Sequence, residues 1–358
     1  MKVVHIIWSF EIGGAESMLV DIVNEQSNKH TVSLIIANSL VNRHLLAKVS
    51  NRVTVITINR KPGSKNILDI VRLNIHLLKL KPDVVHCHSW NLVKLLWLSR
   101  CRKVLTLHVC LHTPNAGLLG PDGRCLVKYD RIFAISTAVA NETTKEYNGI
   151  MPVVVYNGID FSKIDYRKEY YYDIFKIAQV SRLDCKQKAQ DILLKALHSV
   201  VYHYGIKNVH LDFIGDGASC DYLKAMTKEL KLDSYCSFLG KQQRESINAN
   251  LKKYNLLIQP SHFEGFGLAI VEGMAARIPV LVSNIEGPME IIQNGKYGYL
   301  FEVGNPEDCG KKIIKIMSEY EKHGFKEKMD HAYRYALEHF DIKKTAADYI
   351  AHYQKLMW

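Results

Sequence analysis

At 358 residues the chain is too long for one ordinary core and about right for two domains of typical size. Hydrophobic residues make up 47% and charged residues 23%, a balance that excludes a disordered chain, and no run of about 18 apolar residues is present to cross a bilayer as a helix. The net charge of +11 admits nucleic acid or an anionic membrane surface as partners. The basic residues are scattered, however ("NRKPGSK", "LSRCRK", "KKIIKIMSEYEKHGFKEK"), with no zinc-finger spacing, helix-turn-helix signature or aromatic RNA-binding motif, so nucleic acid ranks low.

In chain order, "KVVHIIWS", "TVSLIIA", "VTVITIN", "DVVHCHS", "KVLTLH", "RIFAIS" and "VVVYNG" read as short apolar strands before residue 160, separated by helical patterns. The opening "MKVVHIIWSFEIGGAE" enters its first strand at once and lacks the pattern of a signal peptide. Continuous apolar strands alternating with helices imply a parallel sheet covered on both faces. A polar and aromatic stretch follows at 160–173, and the pattern restarts with "FKIAQVS", "HLDFIGDG", "CSFLG", "NLLIQPS" and "PVLVSN". The expected fold is α/β, two doubly wound Rossmann-like domains whose ligand loops lie beyond the C-terminal strand ends. The eight cysteines, Cys87, Cys101, Cys110, Cys125, Cys185, Cys220, Cys236 and Cys309, form no C-x-x-C pair and read as reduced, mostly buried thiols suited to the cytosol.

Three loops carry candidate chemistry. "FEIGGAES" places Gly13 and Gly14 between a strand and a helix, where the backbone can approach an anion, although it is not the G-x-G-x-x-G dinucleotide fingerprint. "QVSRLDCKQKAQ" brings Arg182 and Lys188 ahead of a helix, either a diphosphate site or a pair of surface cations. "SHFEGFGLAIVEGMA" sets Glu264 and Glu272 eight positions apart around Gly265, Phe266, Gly267 and Leu268, whose amides open a helix. A carboxylate aimed at a diphosphate would repel it, so these glutamates either accept hydrogen bonds from sugar hydroxyls flanking the phosphates or serve a helix dipole and a nearby cation.

Together "GGAE" (13–16), "RLDCKQK" (182–188), "GDG" (215–217), "FLG" (238–240), "PSHFEGFGLAIVEGMA" (260–275) and "EGPMEII" (286–292) resemble the retaining glycosyltransferases of family 4, which have the GT-B fold of two Rossmann-like domains facing across a cleft. The resemblance covers nearly the whole chain in the right order. It implies an acceptor-side domain at 1–162, a nucleotide-sugar domain at 163–338 and a C-terminal helix at 339–358 packing back on the first. It implies that Glu272 holds the ribose, that Glu264 and the amides of Gly265 to Leu268 hold the hexose, and that Arg182 and Lys188 neutralise the diphosphate. Gly14 would approach the same phosphates, His108 in "LTLHVC" would contact the donor sugar, and the base would stack near "SFLGKQ". Three positions depart from the family pattern: Ala189 for a Gly after the lysine, Arg277 for a small residue closing the Glu272 helix, and Glu286 for the first Gly of a pair.

The resemblance implies transfer of a hexose or N-acetylhexosamine, with retention, to a glycan acceptor, lipid-linked in a surface-polysaccharide (lipopolysaccharide-type) pathway. The donor would be a UDP-sugar in preference to a GDP-sugar, and the enzyme would be peripheral on the inner face of the cytoplasmic membrane. No cofactor is required, because Arg182, Lys188 and a helix end supply the positive charge. The metal candidate is "HCH" (His86, Cys87, His88): the two histidines share one strand face but no third ligand is evident, and polar residues at a strand end are the stronger reading. "NLVKLLWL" followed by "LSRCRK" reads either as a membrane-contacting amphipathic helix carrying Trp97 or as an ordinary covering helix. A nucleotide-sugar epimerase of similar fold and a basic nucleic-acid-binding protein are the alternatives.

Overall fold

The computed structural model describes residues 1–11, 13–97, 100–108, 123–320, 322 and 324–357. Its residues separate into two compact units, Met1–Ile159 with Phe340–Trp358, and Asp160–His339. The first unit holds seven parallel strands, β1 (Lys2–Ile7), β2 (Thr31–Asn38), β3 (Thr54–Arg60), β4 (Val84–Cys87), β5 (Arg102–Leu107), β6 (Arg131–Ala134) and β7 (Val153–Val154), in the order β3-β2-β1-β4-β5-β6-β7. The second holds β8 (Phe175–Val180), β9 (Val209–Ile214), β10 (Cys236–Phe238), β11 (Leu256–Gln259), β12 (Val280–Ser283) and β13 (Tyr299–Phe301), in the order β10-β9-β8-β11-β12-β13. In each sheet the strand order reverses once, beside β1 and β4 and beside β8 and β11. Loops at such a switch point splay apart and leave room for a ligand.

The strands are buried on both faces, as their unbroken apolar runs imply: Val3, Val4, Ile6, Val84, Val85, Val104 and Leu105 are all at most 2% exposed. The last helix, Ile342–Lys355, contributes Ile342, Tyr349, Ile350 and Tyr353 to the same core as Val3, Met18, Val84 and Phe133. The second unit closes around Phe175, Phe213, Leu193 and Tyr320. Every strand read from the sequence is present, and one was missed. β13 is only three residues long and pairs on one side only, with β12, so it offers no apolar run for a sequence pattern to register.

The described cysteines are all free thiols, five of them buried, with Cys185 and Cys220 half-buried; Cys110 lies outside the described residues. Burial pushes the Cys87 thiol up to about 12, as expected for a packing residue.

Candidate active site

In the second unit the chain leaves β8 through Ser181 and Arg182, then makes a single helical turn, Cys185–Lys188. The exposed Arg182 guanidinium donates to Gln187 Oε1 at 2.9 Å and lies 3.6 Å from Asp184. The loop leaving β11 docks on the same turn, since the His262 amide donates to the Gln187 carbonyl at 2.9 Å. That docking carries Glu264 to Lys188, and the two side chains form an ion pair with little exposure on either partner. Arg182, Lys188 and Glu264, separated by up to 82 positions, therefore gather where β8 and β11 end.

Gly267 takes a left-handed φ of +105° and caps the helix Leu268–Ala275, presenting the amides that follow it. Glu272 sits one turn into that helix, 8% exposed, with Oε1 3.5 Å from Arg244 Nε. Arg244 opens the helix Arg244–Asn250, and the sequence reading did not single it out. Its only signal was position, a few residues beyond "FLG". Beside that segment a cavity of about 310 Å³ is lined by Leu239, Gln242, Ser246, Asn250, Lys253 and Tyr254.

The three departures have physical readings. Ala189 is forced to φ +51° yet is fully buried. The left-handed cost of about 1–2 kcal/mol is offset by about 0.8 kcal/mol of methyl burial and by the entropy a glycine would add to the unfolded chain, about 0.4–1 kcal/mol. Arg277 also keeps a left-handed backbone, φ +55°, and its side chain compensates: Nη1 pairs with Asp330 at 2.9 Å and the guanidinium lies 4.1 and 4.5 Å from the ring centres of Tyr166 and Tyr333. Glu286 is exposed, whereas a Cβ at the next residue, Gly287, would overlap the carbonyl oxygen of Glu264. The glycine that remains is the one on which the Glu264 loop rests.

In the first unit Gly13 caps the helix Gly14–Gln26, and the Glu16 carboxylate folds back over Gly13. Burial raises the pKa of that carboxyl, a hydrogen bond from its own backbone opposes the rise, and Glu11 adds to it. His108 follows β5 and joins a set of histidines around "HCH", which lies at the end of β4 and gains a third imidazole that the sequence did not make evident. His86 lies inside β4 and is fully buried, and register pairing with β1 sets His5 directly beside it, supplying the third imidazole that the sequence pattern concealed. His5 Nε2 lies 2.8 Å from Gln26 Oε1, His5 Nδ1 3.0 Å from His88 Nε2, and His88 Nδ1 3.0 Å from His108 Nε2. His86 is held by Tyr353 and Thr106 at 2.6 and 2.7 Å. Burial depresses all four pKa values, to about 4 for His5 and His108 and well below the usual range for His86 and His88. One signal for His5 was available, a titratable ring in the middle of a strand otherwise apolar on both faces, which must find hydrogen-bond partners. Nitrogens of His5, His86 and His88 all lie within 4.8 Å of one another, the spacing of a metal set, but each of these rings already has both nitrogens hydrogen-bonded.

"NLVKLLWL" is not an amphipathic α-helix. Trp90–Leu95 is a short 3₁₀ segment with Leu92 and Val93 buried, and Leu98 lies outside the described residues, as does Ser99 of "LSRCRK". Trp97 is 57% exposed, and its amide donates to Asn74 Oδ1 at 2.9 Å, tying it to the helix Ile67–Leu80. That helix exposes Leu68, Ile75 and Leu78 at helical spacing, with Lys61, Lys65, Arg72 and Lys79 also exposed nearby in sequence. No helix among the described residues is long and apolar enough to cross a membrane.

Two parallel-sheet units, one of them with cations and carboxylates gathered at its switch point, define an α/β protein of doubly wound architecture. Residues 167–336 match the model for "Glycosyl transferases group 1" and residues 12–163 the model for "Glycosyltransferase Family 4". The chain belongs to the family 4-type glycosyltransferases of the GT-B class. It is 28% identical over 204 residues to an uncharacterized glycosyltransferase of Methanocaldococcus jannaschii, a match covering 56% of this chain and 54% of that one, so the chain spans about half the length of that relative. It is 27% identical over 268 residues to the N-acetyl-alpha-D-glucosaminyl L-malate synthase of Bacillus anthracis, covering 70% of this chain and 68% of that one. Among solved structures, Anabaena HepE in complex with UDP superposes with a TM-score of 0.82 at 20% identity, covering 99% of this chain and all of that one.

Proposed function

We propose that the protein is a retaining glycosyltransferase that moves a hexose or N-acetylhexosamine from a UDP-sugar to an acceptor hydroxyl. The observation that carries this reading is the meeting of Arg182, Lys188 and Glu264 beside the amides that open the helix Leu268–Ala275, with Glu272 one turn further on. On this reading Arg182 and Lys188 take the diphosphate, and the amides of Gly265, Phe266, Gly267 and Leu268 and the Glu264 carboxylate take the hexose. Glu272 takes the ribose, Gly13 and Gly14 approach the phosphates, and His108 contacts the sugar. The ion pairs do not preclude these roles, because a carboxylate has about four acceptor positions and a salt bridge uses one or two. Fixed cations stabilise the departing diphosphate, and the acceptor hydroxyl attacks from the side on which it leaves. UDP is favoured over GDP because the solved Anabaena relative is a UDP complex.

A lipid-linked acceptor in surface-polysaccharide assembly, reached at the inner face of the cytoplasmic membrane, completes the proposal. It is supported by the exposed stripe Leu68, Ile75 and Leu78, the adjoining Trp97 and the lysines and arginine around them, a composition suited to an anionic lipid surface. The test is a thermal-shift screen of nucleotide-sugars, followed by transfer to lipid-linked acceptors with the product's anomeric configuration read by NMR. UDP and UDP-sugars at 100 times their dissociation constant should stabilise by about 2.7 kcal/mol, and the configuration should match the donor's. Release of epimerised donor without acceptor, or inversion, would overturn the reading.

A further inference from the structure

We propose that His5 and His88 are positioning residues that fix the neutral tautomer of His108, so that His108 presents the lone pair of Nδ1 to a hydroxyl of the transferred sugar. The second half of this inference rests on the reading of His108 as a sugar contact; the first half does not.

A neutral imidazole has one N–H and one lone pair, so a hydrogen bond at one nitrogen decides what the other can do. The carbonyl oxygen of Gln26 can only accept, so His5 Nε2, 2.8 Å away, carries the proton and His5 Nδ1 has the lone pair. His88 Nε2, 3.0 Å from that lone pair, must then be the donor, which leaves His88 Nδ1 as an acceptor. His108 Nε2, 3.0 Å further on, is in turn the donor. The series ends on His108 Nδ1, a buried lone pair with no hydrogen-bond partner among the described residues. Between Gln26 Oε1 and His108 Nε2 every ring nitrogen of the series is paired, whereas His108 Nδ1 at one end and Gln26 Nε2 at the other are buried without a partner among the described residues. The unpaired Nδ1 lone pair is poised to accept one hydrogen bond, and a sugar hydroxyl supplies it.

Two features keep the polarity from drifting. Burial holds all four rings neutral, so no second proton enters the series near neutral pH. His86 stacks on His88 with ring centres 4.4 Å apart, and it is itself anchored by Tyr353 and by Thr106, whose hydroxyl donates to Tyr349 at 3.1 Å. The opposite orientation of the Gln26 amide would reverse every bond and place an N–H at His108 Nδ1, making it a donor.

The test uses the full-length protein with ¹⁵N-labelled histidine and two-bond ¹H–¹⁵N correlation spectra at pH 7, with His108 assigned by loss of its signals in His108→Gln. His5, His88 and His108 should each report the Nε2–H tautomer without any ligand. A His108 that is Nδ1–H, or a mixture, in the unaltered protein overturns the proposal. His88→Phe keeps a ring and cuts the series, and Gln26→Met removes the acceptor that starts it. Either should convert His108 to a tautomer mixture and lower turnover with the UDP-sugar at least tenfold, with UDP affinity changed less than twofold. A tautomer that stays fixed in both variants refutes the relay. Lost tautomer with unchanged turnover refutes the sugar contact alone. Zinc-dependent shifts of the His5 and His88 nitrogens would replace the relay with a metal site.

Discussion

Acidification from pH 7 to pH 5 should destabilise the first unit selectively, through the buried histidines. Burial disfavours the charged imidazolium and lowers the His5 pKa from 6.5 to about 4. Between those values the unfolded chain binds a proton that the native ring refuses, so stability is complete above about 6.5 and is lost as pH falls toward 4. At pH 5 roughly 97% of unfolded His5 is protonated against roughly 10% of native His5, a difference of about 2 kcal/mol. His86 and His88 act in the same direction, as does His108, a half-buried residue that carries less weight. Glu16 works the other way, because a carboxyl raised by burial is relieved by acid, but it is one partly exposed group against several enclosed rings. The assay is urea unfolding followed by tryptophan fluorescence: Trp8, Trp90 and Trp97 lie in the first unit, and residues 160–339 contain no tryptophan. With an m-value of about 2 kcal/mol/M, the midpoint should fall by about 1 M or more. A first unit whose stability changes by less than about 0.5 kcal/mol between pH 7 and pH 5 would show that the rings are not held neutral by burial.

The two glutamates should separate by ligand. Glu272→Ala should weaken UDP and UDP-sugar alike by about ten- to a hundredfold, whereas Glu264→Ala, which also releases Lys188, should leave UDP affinity intact or raised while lowering turnover. Equal losses of UDP affinity by calorimetry would refute that division. Activity should survive exhaustive chelation, and an enzyme inert until Mg²⁺ or Mn²⁺ is restored would contradict the assignment of charge stabilisation to side chains. Arg277→Ala keeps the left-handed strain and loses the Asp330 and tyrosine contacts, so it should be about 1 kcal/mol less stable than Arg277→Gly, with both below the unaltered protein in urea melts followed by circular dichroism. Arg277→Ala matching Arg277→Gly would remove the strain argument. Gly287→Ala should displace the Glu264 carbonyl and cut donor affinity at least tenfold, and unchanged donor binding would show that this close approach does not shape the site.

What the sequence determined by itself was whatever is encoded locally. Apolar runs of four to eight residues marked the strands of two parallel sheets, because a strand buried on both faces is mostly apolar and admits a polar side chain such as His5 or Thr106 only where it is hydrogen-bonded. The spacing of Glu264 and Glu272 around a glycine-rich turn located a helix start with one carboxylate before it and one inside it. Local pattern failed where length or context was short: β13 has three residues, and "NLVKLLWL" has helical composition although Trp90–Leu95 is a 3₁₀ segment whose end is tied to Asn74. The pairings were decided only by tertiary structure. Glu264 meets Lys188 across 76 positions because β8 and β11 are neighbours, Glu272 faces Arg244 from a separate helix, and His5 stands beside His86 because β1 pairs with β4 rather than with the strands between them in sequence alone. Tyr353 reaches His86 from 267 residues away. Strand order is a property of the whole sheet, set by which crossovers bury the most apolar surface, and no window of sequence contains it.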